Sequence, residues 1–277
     1  MGRLPARICG IDFSGGARAG RKIWVASASM EGRCLIIEDC RRGADLPGAG
    51  VERDRCLATL CRFIEQGCDA AFGLDFPFGL PRELVKETTW QEFVLRFGGH
   101  YPTAEAFRRR CRAPGRPERK RLTDIAAKTP FSPYHLWLHR QTFHGIRDLL
   151  APLVRRGRAC VAPMQSLEPG KAWVLEICPA STLKRLSQEM GRRLHIPYKG
   201  KAPGRRRARR RILADLECEA GVVIGDRALR KAILADSEGD ALDSVVAALG
   251  TARALRHPEF PRPDWKPIYA IEGYVYA

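Results

Sequence analysis

A chain of 277 residues is long enough to bury a large core and fits one big domain or two small ones. Its hydrophobic content of 45% is that of a globular protein, and no run approaches the ~18 consecutive apolar residues of a membrane span. With 48 Lys and Arg against 31 Asp and Glu, the net charge is +17, which favours a polyanionic partner, nucleic acid first. The excess is clustered. One block holds Arg108, Arg109, Arg110, Arg112, Arg116, Arg119, Lys120 and Arg121; the other holds Lys199, Lys201, Arg205, Arg206, Arg207, Arg209, Arg210 and Arg211. A solvated surface, or a compositional bias toward Arg, Ala, Gly and Pro, is the competing explanation. The N-terminus shows no apolar signal region, so the expectation is a soluble, cytoplasmic protein. None of the ten cysteines forms a C-x-x-C pair, which predicts reduced, structural thiols.

In chain order, residues 7–12 read as a buried strand. Segments 21–29 and 33–40 read as two more, joined by a Met30-Glu31-Gly32 turn into an antiparallel meander. Residues 51–66 show helical periodicity, with Val51, Leu57, Leu60, Phe63 and Ile64 largely on one face. A short apolar strand at 70–75 runs into Phe76-Pro77-Phe78-Gly79-Leu80-Pro81. Residues 82–133 look like a basic, helical insertion, broken by Gly98-Gly99 and by Pro114, Gly115 and Pro117. Residues 134–155 predict one long amphipathic helix, 159–163 and 172–178 two strands, and Pro179 the first turn of a helix to about 190. The basic segment 196–211 leads into a helix at about 205–219. Helices follow at 226–234 and 237–256, then a weak edge strand at 269–276. This order predicts an α/β fold with a mixed sheet and helices on both faces.

Four carboxylate-bearing segments interrupt otherwise apolar runs: Ile8-Cys9-Gly10-Ile11-Asp12, Ala70-Ala71-Phe72-Gly73-Leu74-Asp75, Ala172-Trp173-Val174-Leu175-Glu176-Ile177-Cys178, and Asp240-Ala241-Leu242-Asp243 ahead of Ser244-Val245-Val246-Ala247-Ala248-Leu249. A buried carboxylate is paired, protonated or bound to a cation. Converging carboxylates make an oxygen-rich site for Mg²⁺ or Mn²⁺. Each also has a structural explanation. Asp12 could start the Ser14-Gly15-Gly16 turn, and Asp75 could hold the Pro-rich turn after its strand. Asp240 could complete a capping box with Ser237. That explanation is weakest for Glu176, whose flanking residues do not form a surface pattern. The helix at 237–256 is apolar almost all round and should be buried. Asp240 and Asp243, three residues apart, can point to one spot.

Other chemistries have little support. His135 and His139 are separated by Leu136-Trp137-Leu138, without the Glu of an H-E-x-x-H site, and are assigned with His144 to packing and surface. There is no Gly-x-Ser-x-Gly elbow and no Walker-type phosphate loop.

Gly10-Ile11-Asp12-Phe13-Ser14-Gly15-Gly16, Gly73-Leu74-Asp75-Phe76-Pro77-Phe78-Gly79-Leu80-Pro81, Leu175-Glu176-Ile177-Cys178-Pro179-Ala180 and the Asp240–Leu249 segment, in that order, resemble the domain-of-unknown-function 429 family (DUF429). Glu272-Gly273-Tyr274 is similar to that family's terminal Glu-Gly-aromatic. The family is described as predicted nucleases with a ribonuclease H-like fold. The resemblance therefore implies a five-stranded mixed sheet opening with an antiparallel β1-β2-β3 meander, spread over 1–277 as a single domain. It places metal ligands at Asp12, Asp75 and either Asp240 or Asp243, and leaves the role of Glu176 open among the catalytic residues.

The resulting expectation is a metal-dependent hydrolase that cuts phosphodiester bonds of DNA or RNA with two Mg²⁺ or Mn²⁺ ions held by Asp12, Asp75, Asp240 and Asp243. Lys199, Lys201, Arg205, Arg206 and Arg207 would grip the nucleic-acid backbone, without reading sequence. Two alternatives are an ATP-dependent phosphotransferase of the acetate/sugar-kinase and actin type, and a non-catalytic nucleic-acid-binding protein.

Overall fold

The computed structural model describes residues 4–112 and 117–277. Pro114, Gly115 and Arg116, read above as part of the insertion and its basic block, lie outside the described residues.

The elements in chain order begin with β1 (Arg7–Asp12), β2 (Trp24–Glu31), β3 (Cys34–Arg42), α1 (Arg53–Glu65) and β4 (Ala70–Leu74). The insertion supplies α2 (Trp90–His100), α3 (Ala104–Cys111) and α4 (Leu122–Ala126). Next come α5 (His139–His144), a π-helical stretch (Gly145–Leu150) and α6 (Ala151–Arg156), which run on from one another. They are followed by β5 (Ala159–Val161), β6 (Ala172–Ile177), α7 (Pro179–Glu189), α8 (Pro203–Glu219) and β7 (Val222–Val223). The chain ends with α9 (Arg227–Ala235), α10 (Asp240–Leu255), α11 (Tyr269–Glu272) and β8 (Val275–Tyr276). Among the described residues, no helix is long and apolar enough to cross a membrane.

The eight strands among the described residues join one mixed sheet in the order β5-β6-β4-β1-β2-β3-β7, with β8 added beside β6. The β1-β2-β3 meander is antiparallel, as the short Gly32-Arg33 turn permits, and β1, β4 and β6 are parallel. The sheet exceeds the expected five strands because three short ones, β5, β7 and β8, attach at its edges. Successive side chains alternate between faces. Cys9, Ile11, Phe72, Leu74 and Val174 enter a core shared with α1, α2 and α6. Ile8, Ala71, Leu175 and Ile177 enter a second core with α7, α8 and α10.

α10 lies directly on the sheet because glycines leave room for its backbone. A Cβ on Gly10 would come within 2.1 Å of Ala248 N and Ser244 O, and one on Gly73 within 1.9 Å of Thr251 Oγ1. No L side chain other than hydrogen fits at either position.

Three local readings differ. The predicted helix at 134–155 starts only at His139. Residues 132–139 form tight turns instead, with Leu138 N donating to His135 O at 2.9 Å and Thr142 Oγ1 reaching back to Pro133 O at 2.6 Å. Helix α10 begins at Asp240, not 237. Its N-terminus is closed by the Asp236 carboxylate, which accepts from Ala241 N at 3.0 Å, so Ser237 and Asp240 form no capping box. The first half of the tail expected as a strand over 269–276 is the short helix α11, with pairing confined to Val275 and Tyr276.

Candidate metal centre

Asp12 ends β1, Asp75 follows the last residue of β4, and Glu176 lies near the end of β6. These three parallel strands bring their carboxyl ends to one edge of the sheet, where open α/β sheets bind ligands. Register then sorts the carboxylates by face. Ile11, Leu74 and Glu176 are aligned neighbours, so Glu176 shares the α1/α2 face with Ile11 and Leu74. Asp12 and Asp75 come one residue later and point to the α10 face. Phe13 and Phe76 then turn back into the first core with ring centroids 4.6 Å apart, which pins both strand ends just past their carboxylates.

α10 brings Asp240 and Asp243 to the same point. Asp12, Asp240 and Asp243 each offer an oxygen within 4.8 Å of the others. Asp75 stands beside this group; its charge bears on Asp12. The four are close enough to oppose one another's ionisation. Burial, then Asp243, holds the Asp12 carboxyl well above the usual carboxylate range. Burial and Asp243 likewise push Asp75 up to about 8, and burial raises Asp240. Among the described residues no hydrogen bond reaches the Asp12 carboxylate, although the residue is only 7% exposed. A buried carboxylate without a donor, facing two others, fits a hard divalent cation, whose preferred donors are carboxylate oxygens.

Lys199 is placed differently from the expectation of a backbone-gripping cation. Its Nζ lies 2.6 Å from Asp243 Oδ2 and 3.3 Å from Asp240 Oδ1. Burial opposes its charge, yet Asp243, Asp12 and Asp240 hold its pKa above the usual lysine value. Its neighbour Tyr198 donates its hydroxyl to Asp243 Oδ1. The segment carrying both is fixed by Arg209, which is 3% exposed and donates from Nη1 to Tyr198 O at 2.7 Å and Gly200 O at 3.0 Å. Lys199 thus puts one positive charge on the two carboxylates α10 contributes. We expect Lys199→Met, which keeps the apolar stem and removes the charge, to raise Mn²⁺ affinity by about 10-fold, because unit charges this close interact by about 1–2 kcal/mol where water screens them, as it does the exposed Lys199 side chain. Calorimetric titration of both proteins checks this; equal or weaker binding by the variant would show that the ammonium does not compete with a cation.

The other residues of the second basic block part company. Lys201, Arg206 and Arg207 are exposed and Arg205 is half-buried, whereas Arg209 serves the fold. In the first block, Arg121 is fully buried. It meets Glu176 through Nη1 at 2.9 Å from Oε2 and through Nη2 on Oε1, and also pairs Asp124, with Nη2 2.7 Å from Oδ1. Phe78 N donates to Glu176 Oε2 at 2.9 Å. Both Glu176 oxygens are therefore committed, and the structure does not bring this carboxylate into the Asp12 group. Sequence reasoning did not single out Tyr198, Arg121 or Arg209. The first is an isolated tyrosine, and the other two are hidden in arginine-rich runs.

A cleft of about 710 Å³ opens over the carboxylates, lined also by Ser14, Gly15, Phe131, Trp137 and Lys199. A Cβ on Gly15 would meet Arg140 O at 2.2 Å, so the Ser14-Gly15-Gly16 turn serves close packing against the start of α5.

No family model matches the sequence, and no curated protein matches it. The likeness to the domain-of-unknown-function 429 family therefore rests on the motifs quoted above. Among solved structures, the chain is similar to that described as the yeast mitochondrial Holliday junction resolvase Ydc2. The identity is 11% and the TM-score 0.43, over 91% of this chain and 80% of that one.

Proposed function

We propose that this chain is a metal-dependent nuclease that hydrolyses phosphodiester bonds of DNA or RNA, with β3-β2-β1-β4-β6 as a ribonuclease H-like core and the whole chain as one domain. The observation that carries the reading is the convergence of Asp12, Asp240 and Asp243, with oxygens within 4.8 Å, at the floor of a cleft in a protein of net charge +17.

Asp12, Asp240 and Asp243 would hold the Mg²⁺ or Mn²⁺, with Asp75 completing the anionic wall. A divalent cation so held would polarise a phosphoryl oxygen and make a water nucleophilic near neutral pH. The chain's own groups do the rest. Tyr198 fixes the orientation of Asp243. Lys199, beside Asp240 and Asp243 at the cleft, would supply positive charge to a phosphate brought there. Lys201, Arg206 and Arg207, exposed at the start of α8, meet the nucleic-acid backbone and give affinity without sequence preference.

The test is a screen of labelled single-stranded, duplex and branched DNA and of RNA, with Mn²⁺, with Mg²⁺ and with EDTA. Cleavage that EDTA stops is expected. A protein that binds Mn²⁺ but cuts none of these substrates would defeat the nuclease reading.

A further inference from the structure

Trp137 is 72% exposed and its neighbour Leu136 56% exposed. Single exposed apolar residues are ordinary, but these two adjoin and so form an exposed apolar patch, which is not. Both belong to the turn that replaces the expected helix start, and the turn is not loose. Phe131 stacks on His135 with centroids 4.3 Å apart and planes at 17°. Trp137 stands edge-on to both, 5.3 Å from Phe131 and 5.4 Å from His135. Trp137 N donates to His135 Nδ1 at 3.3 Å. The indole is thus braced by two other rings while its own surface faces solvent.

Its position is equally defined. Trp137 and Phe131 line the same cleft as Asp12, Asp75, Asp240 and Asp243. Two anchors tie the segment after Trp137 to the turn that follows Asp12: Gln141 Nε2 donates to Phe13 O at 2.5 Å, and Arg140 packs on Gly15. On the far side, Leu136 borders a second cavity of about 570 Å³ lined by His139, Arg108, Arg109, Arg112, Arg140 and one carboxylate, Glu105, which pairs Arg140 and leaves the cavity net positive. Arg109 and Arg112 are exposed and carry no ion pair among the described residues. Arginines, an open indole and a carboxylate floor therefore follow one another along one surface.

We propose that Trp137, braced by Phe131 and His135, is a stacking platform for an unpaired nucleobase, with Arg109 and Arg112 holding the phosphates that flank it. The charge of the second cavity selects an anionic chain, and the ring selects its bases. In a duplex the base faces are covered by their neighbours, so a ring of this kind favours a strand with at least one unstacked base. Stacking of this sort is sequence-tolerant, because every base has a π-face. The inference rests on the nuclease reading for its substrate, but it concerns binding and is tested without cleavage.

The experiment measures fluorescence anisotropy of a labelled forked DNA and of the fully paired duplex of the same length, in EDTA, with wild type, Trp137→Ala and Trp137→Phe. Wild type should prefer the fork. Trp137→Ala should weaken fork binding about 10- to 100-fold, the range for loss of one stacked base, and leave duplex binding within about 2-fold. Trp137→Phe should keep most of the preference, and its melting temperature beside that of the Ala variant separates stacking from misfolding. Equal affinities of wild type for fork and duplex, or an equal loss on both in Trp137→Ala, would overturn the platform. Fork preference through Trp137 without any metal-dependent cutting would sink the nuclease reading and leave the platform standing. Cutting without fork preference would do the reverse.

Discussion

Replacing Asp12 with Asn should weaken Mn²⁺ binding by more than about 100-fold and abolish metal-dependent cleavage. The expectation follows from position. Among the described residues no donor satisfies the Asp12 carboxylate, and it faces both acids of α10. Loss of a partner that merely supports a ligand costs about 10–100-fold in metal affinity, and loss of the ligand itself costs more. Asn keeps the shape and one oxygen but removes the charge, so the substitution tests electrostatics and not packing. A pH series sharpens the test. Asp75 has its pKa raised to about 8 by burial and by Asp243, and Asp12 is raised well above the carboxylate range for the same reasons. In the unfolded chain both ionise near ~4. Between these limits the folded, metal-free protein binds more protons than the unfolded one, so its stability falls as pH rises from about 4 toward about 8. Lys199, whose pKa is raised, stays charged throughout that window. Mn²⁺ must displace the same protons, so its affinity rises over the same range. Thermal melting with EDTA should show a decline from pH 5 to pH 8, and added Mn²⁺ should reverse it. Asp12→Asn should flatten both trends. A metal-induced stabilisation that survives Asp12→Asn would place the ion elsewhere.

Much of this site could be read from residue order because its parts are local. Asp12 and Asp75 close apolar strands, and Asp240 and Asp243 open a helix whose surface is apolar almost all round, a pattern that only burial explains. The meander and α7 were legible for similar reasons: short apolar runs, a tight turn, and a proline at a first helical position. What was not legible depended on pairing between distant segments. Whether Glu176 joins Asp12 or opposes it is decided by one residue of register between β4 and β6, and no periodicity within either strand carries that information. Lys199 and Arg209 belong to a basic run that looks solvated throughout. Only the fold shows one on the carboxylates and the other bonded to backbone carbonyls. The helix expected from Tyr134 was a case of apolar residues imitating a buried face. Leu136 and Trp137 carry the right residue types for that face, yet both are exposed.

Arg121→Ala should be the most destabilising of the single changes considered, lowering stability by about 3–5 kcal/mol, the cost of stranding buried charges by removing one partner. Arg121 is fully buried, and burial alone would disfavour its charge. Asp124 and Glu176 reverse that and hold its pKa above the usual arginine value. The guanidinium joins parts of the chain that nothing in their sequences connects. Besides its two carboxylates, it donates to Glu272 O at 3.1 Å. The Glu272 side chain accepts from Arg82 N at 2.9 Å and Leu122 N at 2.7 Å. Gly79 lies so close to this C-terminal turn that a Cβ would meet Glu272 O at 2.4 Å. The Phe76–Pro81 segment, the Glu176 strand and Glu272-Gly273-Tyr274 are thus tied into one buried network. This gives Glu176 a testable role distinct from Asp12. Glu176→Gln keeps an acceptor for Phe78 N but removes the charge facing Arg121, so it should lower the midpoint of urea denaturation while changing Mn²⁺ affinity by less than about 10-fold, because it bears on the metal centre only through its charge on Asp75. Asp12→Asn should do the opposite, removing the metal while leaving the urea midpoint little changed at about pH 4–5 and raising it toward about pH 8, where the buried charge no longer has to form. Were Glu176→Gln to lose Mn²⁺ as Asp12→Asn does, the carboxylate would belong to the metal centre, and the Arg121 pair would have to open when the ion binds.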